Sequence, residues 1–76
     1  MRVTIRFHDS REPQKVEAVS APEALRQVND SDAYVIAPWP AAYECIAYSP
    51  AQDQFRFGTG RTAAQAVESV FEGGGA

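Results

Sequence analysis

Two nine-residue segments constrain what this chain can fold into more than any other feature. "SAPEALRQV" (residues 20–28) and "TAAQAVESV" (residues 62–70) carry identical residues at Ala21/Ala63, Ala24/Ala66 and Val28/Val70, with close replacements at Ser20/Thr62, Glu23/Gln65 and Leu25/Val67. Each opens on a hydroxyl residue followed three positions later by Glu or Gln, the spacing at which the two side chains satisfy backbone N–H groups of a first helical turn. Pro22 falls in that first turn, where a missing N–H costs little. Apolar residues then recur at i, i+3, i+4 and i+7, which is one helical stripe. The stripe is narrow and built from small residues, suited to lying on a sheet. Both a shared packing grammar and duplication of a ββα unit would produce the echo.

The intervening residues supply strands. "RVTIRF" alternates strictly, with Val3, Ile5 and Phe7 on one side and Arg2, Thr4 and Arg6 on the other, as a half-buried strand does. "HDSREPQ" has turn chemistry and "KVEAV" resumes the extended pattern, so a hairpin is expected over the first nineteen residues. "AYVIA" reads as a buried strand, and Pro38 and Pro40 make "PWPAA" a loop. "YECIAY" and "QFRF" are two further strands joined by "SPAQD". The glycines of "FGTGRT" read as a tight turn before Thr62 caps the second helix, and Gly73 as its left-handed C-terminal cap. The expectation is a single α+β domain over residues 1–72 in the order ββαβββα, with a mainly antiparallel sheet, both helices on one face, and a flexible Gly-rich tail at 73–76.

Composition narrows the function classes. Seventy-six residues with 45% hydrophobic content make one small globular domain, burying about 60% of the surface its unfolded chain exposes. A single cysteine leaves no intramolecular disulfide, and a single histidine argues against a structural zinc site. The longest apolar run is interrupted by prolines and falls short of a membrane span. "MRVTIRF" lacks the apolar core of a signal peptide, so the expected location is cytoplasmic, with no membrane partner. The net charge is −3, and the deficit of positive charge lies in residues 21–76. Extended phosphate binding needs clustered Lys and Arg, which that region lacks.

Two family resemblances attach to "GTGRTAAQAVESV". Gly58, Gly60, Thr62, Ala66 and Val70 resemble the end of a double-stranded-RNA-binding domain, and the αβββα order from residue 20 to residue 72 is similar to that fold. In that family a lysine pair follows the hydroxyl residue and grips phosphates. Here Ala63 and Ala64 stand at those places, so the resemblance implies the fold with its RNA grip lost. Gly60, Thr62, Gln65 and Ala66 in residues 33–72 also resemble HicB-type antitoxins and related small phage proteins. That resemblance implies a cytosolic protein that blocks a partner acting on nucleic acid.

Candidate sites follow from residue type. Trp39, Tyr34, Tyr43 and Tyr48 gather around the proline loop, and Trp and Tyr are enriched in binding hot spots. Trp39 either closes one end of the core or stands out as an anchor. Asp30, Asp32 and Asp53 form acidic loops able to steer a basic partner. These seven residues make the expected protein-binding surface of a non-catalytic inhibitor or antitoxin-like domain, of the same broad class as anti-CRISPR proteins. Its expected partner is another protein with a basic, nucleic-acid-handling surface. A homodimer through an unpaired edge such as "RVTIRF" is a further expectation, blunted by Arg2 and Arg6. The alternative is a diverged nucleic-acid-binding module, which needs Arg2, Arg6, Arg56 and Arg61 to converge on one face. An enzyme is not expected. Cys45 reads as a buried structural thiol with only His8 as a potential base, no serine elbow is present, and the carboxylates show no metal-ligand spacing or cofactor motif.

Overall fold

Seven elements follow one another in the computed structural model, which describes residues 1–71 apart from the Trp39 side chain. They are β1 (Arg2–Phe7), β2 (Gln14–Glu17), α1 (Ala21–Val28), β3 (Ala33–Trp39), β4 (Ala42–Ser49), β5 (Gln54–Gly60) and α2 (Ala63–Phe71). The ββαβββα order is the expected one. One five-stranded sheet runs β2-β1-β3-β4-β5, and every neighbouring pair is antiparallel. The expected Gly73 cap and the 73–76 tail lie outside the described residues.

Both helices begin as their sequences direct. Ser20 accepts a hydrogen bond from the Glu23 N–H at 3.3 Å, and Thr62 accepts one from the Gln65 N–H at 3.1 Å. The Gln65 side chain reaches back one residue further than a capping box requires, accepting from the Arg61 N–H at 2.9 Å. α1 ends at Asn29, in the left-handed region at φ 55°, whose N–H donates to the Leu25 carbonyl. Asn tolerates that conformation better than most residues.

The helices lie on opposite faces of the sheet, not on the single face expected. Strand register decides this. On one face stand Val3, Ile5, Ala33, Val35, Ile46 and Tyr48, and α1 packs Ala24 and Leu25 into them as the main core. Ile5 and Leu25 are fully buried there, each burial contributing roughly 1.5–3 kcal/mol. The alternate positions Arg6, Tyr34, Ile36, Cys45, Ala47, Arg56, Gly58 and Gly60 form the other face. α2 packs there, over β4 and β5. Both faces of β4 are thereby covered along the consecutive buried run Cys45, Ile46, Ala47 and Tyr48.

Two other elements differ from expectation. Gly58 and Gly60 belong to β5 instead of forming a turn, and their missing side chains let α2 approach. A Cβ on Gly58 would stand 2.7 Å from Val70 Cγ2, and one on Gly60 would stand 2.6 Å from the Ala66 backbone nitrogen. "PWPAA" is also no loop. β3 runs through Pro38 to Trp39, paired with Ala42, and only Pro40 and Ala41 turn the chain. β1 pairs with β3 only at Ala33 and Tyr34, so the far end of β3 behaves as an edge, where proline is tolerated.

Phe71 fixes the other end of α2. Its ring stacks on His8 at 4.4 Å, meets Tyr34 edge-on at 5.8 Å, and lies beneath the Arg56 guanidinium at 5.1 Å. Because the atoms facing Gly60 are the Gln65 Cβ and the backbone of α2, which no side-chain rotation moves, they cannot give way. Gly60→Ala is expected to destabilise the fold by about 1–3 kcal/mol, read as a lower urea midpoint at unchanged slope. A neutral Gly60→Ala would show that α2 does not sit this close.

Candidate functional site

α2 covers only the β4–β5 side of its face, and the β1–β3 side is left open as a groove of about 760 Å³. The sheet supplies Thr4 and Arg6 from β1, Tyr34, Ile36 and Pro38 from β3, and Tyr43 from β4. α2 supplies Ala63, Ala64, Val67 and Glu68 as the facing wall, and His8 lies at the end of β1. Tyr43, opposite Gly60 in the ladder, is 37% exposed. Among the described residues neither Arg6 nor Glu68 has an ion-pair partner. The groove thus offers apolar side chains, two tyrosines and separate charges of both signs. Such a surface can hold an amphipathic peptide segment through packing and charge-assisted hydrogen bonds.

Of the aromatic residues singled out in the sequence, Tyr34 and Tyr43 come together in this groove. Tyr48 lies on the opposite face, in the core, and donates a 2.6 Å hydrogen bond to Asp53 Oδ1. That bond, aided by burial, raises the Tyr48 pKa above its ordinary value of 10.0. The choice for Trp39 between core and anchor concerns a side chain outside the described residues.

The acidic loops are engaged within the molecule. Arg11 bridges them, donating to Asp9 at 2.8 Å and to Asp30 at 2.6 Å, with Asp32 at 3.8 Å. Its guanidinium also lies 4.2 Å above the Phe7 ring. Asp30 Oδ1 accepts the Asp32 N–H, which fixes the turn. Asp53, at φ 50°, takes the Tyr48 hydroxyl and stands 3.5 Å from Arg26. The Arg11–Asp30 tie was not legible, because the two residues stand nineteen apart in the chain.

The four arginines considered for nucleic acid are only partly brought together. Alternation puts Arg2, Arg6 and Arg56 on the α2 face. Arg2 is paired with Glu17 at 3.6 Å. Arg56 is held against Phe71, and its Nε is buried with no hydrogen-bond partner among the described residues. Arg61 precedes α2 and is exposed. Cys45 is fully buried, and desolvation pushes its thiol pKa up to about 11, so it carries no reactive thiolate at neutral pH. Among the described residues no group of three or more His, Cys, Asp or Glu could hold a metal ion, and no helix is long and apolar enough to cross a membrane.

No family model, curated protein or solved structure matches this chain.

The groove escaped the sequence reading because it exists only if α2 lies on the face opposite α1. One available signal was the unalternated apolar run "CIAY", since a strand covered on both faces reads this way. The acid cluster has its own pH signature. Hydrogen bonds from Arg11 come first in holding Asp9 and Asp30 below the ordinary 3.8. The unfolded chain therefore binds more protons between the folded values and 3.8. The contribution is present above 3.8 and lost as pH falls through the folded values. Arg11→Ala is expected to raise both carboxyl midpoints toward 3.8, read by ¹³C NMR titration, and to shift acid unfolding to higher pH. Unmoved midpoints would show that the bridge does not form in solution.

Proposed function

We propose that this chain is a non-catalytic protein-binding domain, an inhibitor or antitoxin-like protein of the phage or mobile-element kind, anti-CRISPR-like in broad class. It acts in the cytoplasm by steric occlusion of a partner that handles nucleic acid. The observation that supports this reading best is the open groove beside α2. Its two tyrosines and apolar side chains, with Arg6 and Glu68 free of ion pairs among the described residues, make a ready contact surface, in a fold whose only thiol is buried and un-ionised.

Contact and steering are separate in this proposal. Tyr34, Tyr43 and Arg6 make the short-range contacts, being residue types that dominate binding hot spots. The net charge of −3 supplies the long-range attraction to a basic surface. Because Asp30 and Asp32 are bridged by Arg11, they contribute to that field without reaching out to the partner.

The alternation that places Arg2, Arg6 and Arg56 on the groove face favours a second reading, a diverged double-stranded-RNA-binding module. Ala63 and Ala64 line the groove wall where a phosphate grip would need lysines, and two of the three arginines are engaged within the chain.

The test is cross-linked capture from the native host or its target cell, comparing the wild type with Arg6→Glu/Tyr43→Ala. Both substituted side chains are exposed, so the variant is expected to keep its thermal midpoint. The wild type should capture a nucleic-acid-processing protein and lower its activity, and the variant should bind that protein roughly tenfold to a hundredfold more weakly. Equal affinity in a folded variant would remove the groove from the interface. A salt-dependent shift of labelled duplex RNA by the wild type alone would favour the second reading.

A further inference from the structure

The sheet has two outer edges, and they are built differently. β2 is four residues long, reads "QKVE", carries two charges and follows Pro13, all devices that discourage a further strand. β5 is seven residues long, reads "QFRFGTG", and holds one charge, Arg56. That charge is withdrawn onto Phe71 beneath α2. Among the described residues β5 pairs only with β4, so its outer edge is open. β1, the strand whose edge looked available in the sequence, is interior, between β2 and β3.

Phe57 marks the middle of this open edge and is 61% exposed. It stands on the α1 face, but α1 packs mainly on β1, β3 and β4 and leaves it exposed. A strand with an undefended edge and a large exposed aromatic at its centre is a strand-addition surface.

We infer that the β5 edge pairs with the β5 edge of a second copy of this chain, antiparallel and centred on Phe57, joining two sheets into one of ten strands. Self-complementarity argues for a second copy over a foreign strand. The two-fold register sets Phe57 against Phe57, Arg56 against Gly58, Phe55 against Thr59 and Gln54 against Gly60. No like charges face each other, and each arginine stem lies across a residue without a side chain. The part of α2 over β5 also suits a neighbour, because Ser69 and Gln65, the residues above Gly58 and Gly60, are neutral. A two-fold axis perpendicular to the sheet puts both grooves on the same face of the dimer. The dimer itself does not depend on the groove having a partner.

The test is sedimentation equilibrium and an amide NMR dilution series on the isolated chain, from about 1 µM to about 1 mM. The expected result is a concentration-dependent dimer whose shifts fall on residues 54–60 and spare β2. Phe57→Lys and Phe57→Glu should each raise the dimer dissociation constant roughly tenfold or more. An equimolar mixture of the two should recover association, because the register places position 57 opposite itself. Unchanged circular dichroism guards against misfolding, and the wild-type dilution shifts stand independently of either variant. A monomer over the whole range overturns the inference. So does a dimer whose shifts lie elsewhere, a Phe57→Lys dimer of undiminished affinity, or a β5 edge that binds only a foreign strand.

Discussion

Strand β4 is covered on both sides, and the rest of the architecture depends on that. Cys45 and Ala47 face α2, while Ile46 and Tyr48 face α1, so one eight-residue strand belongs to two separate hydrophobic layers. A chain of this size cannot build one deep core, and it divides its apolar residues between two shallow ones. The α1 layer holds the bulk, with Ile5, Leu25, Val35 and Ile46. The α2 layer is thin, and small residues make it so: Cys45, Ala47, Gly58 and Ala66 let helix and sheet approach until backbone nearly meets side chain.

Local chemistry was legible in the sequence, and relations between distant elements were not. Ser20, Thr62, Glu23 and Gln65 locate both helix starts because capping is a matter of three or four residues. Strand identity could likewise be read from the alternation in β1 and the β-branched and aromatic residues of β3. Which face a helix takes is set by how a connection crosses the sheet, and the two similar stripes concealed opposite destinations. Glycine misled for a related reason. Its use in a turn is a local property, whereas here Gly58 and Gly60 make room for residues that follow them in the chain, at distances only the packed helix defines. Pro38 misled because proline is excluded from strands only where a neighbour needs its N–H, and β1 stops short of that position.

Charge shows the same division. Net charge is a property of composition and was available at once, but the state of Asp30 depends on a partner nineteen residues away in sequence. Arg11 gathers Asp9, Asp30 and Asp32, and Arg26 stands beside Asp53. The first of these also ties the β1–β2 turn to the α1–β3 turn, and its guanidinium covers Phe7. The loops that looked like an advertisement to a partner are structural ties at short range, whatever their summed field does at long range.

An uncovered surface is built into a fold with one short helix on each face. Five strands spaced about 4.8 Å apart make a sheet roughly 20 Å across, while a helix with its side chains is about 10–12 Å wide. On the α1 face long side chains fill part of the shortfall, with Arg11 over Phe7 and Arg26 over Phe55, while Phe57 stays exposed. On the α2 face the glycines draw the helix toward β5, and among the described residues no equivalent filler covers the β1–β3 side. Ala63 and Ala64 then acquire a meaning that their place in a motif did not suggest. They line the groove, where longer side chains would fill it, and so these two small residues keep it open.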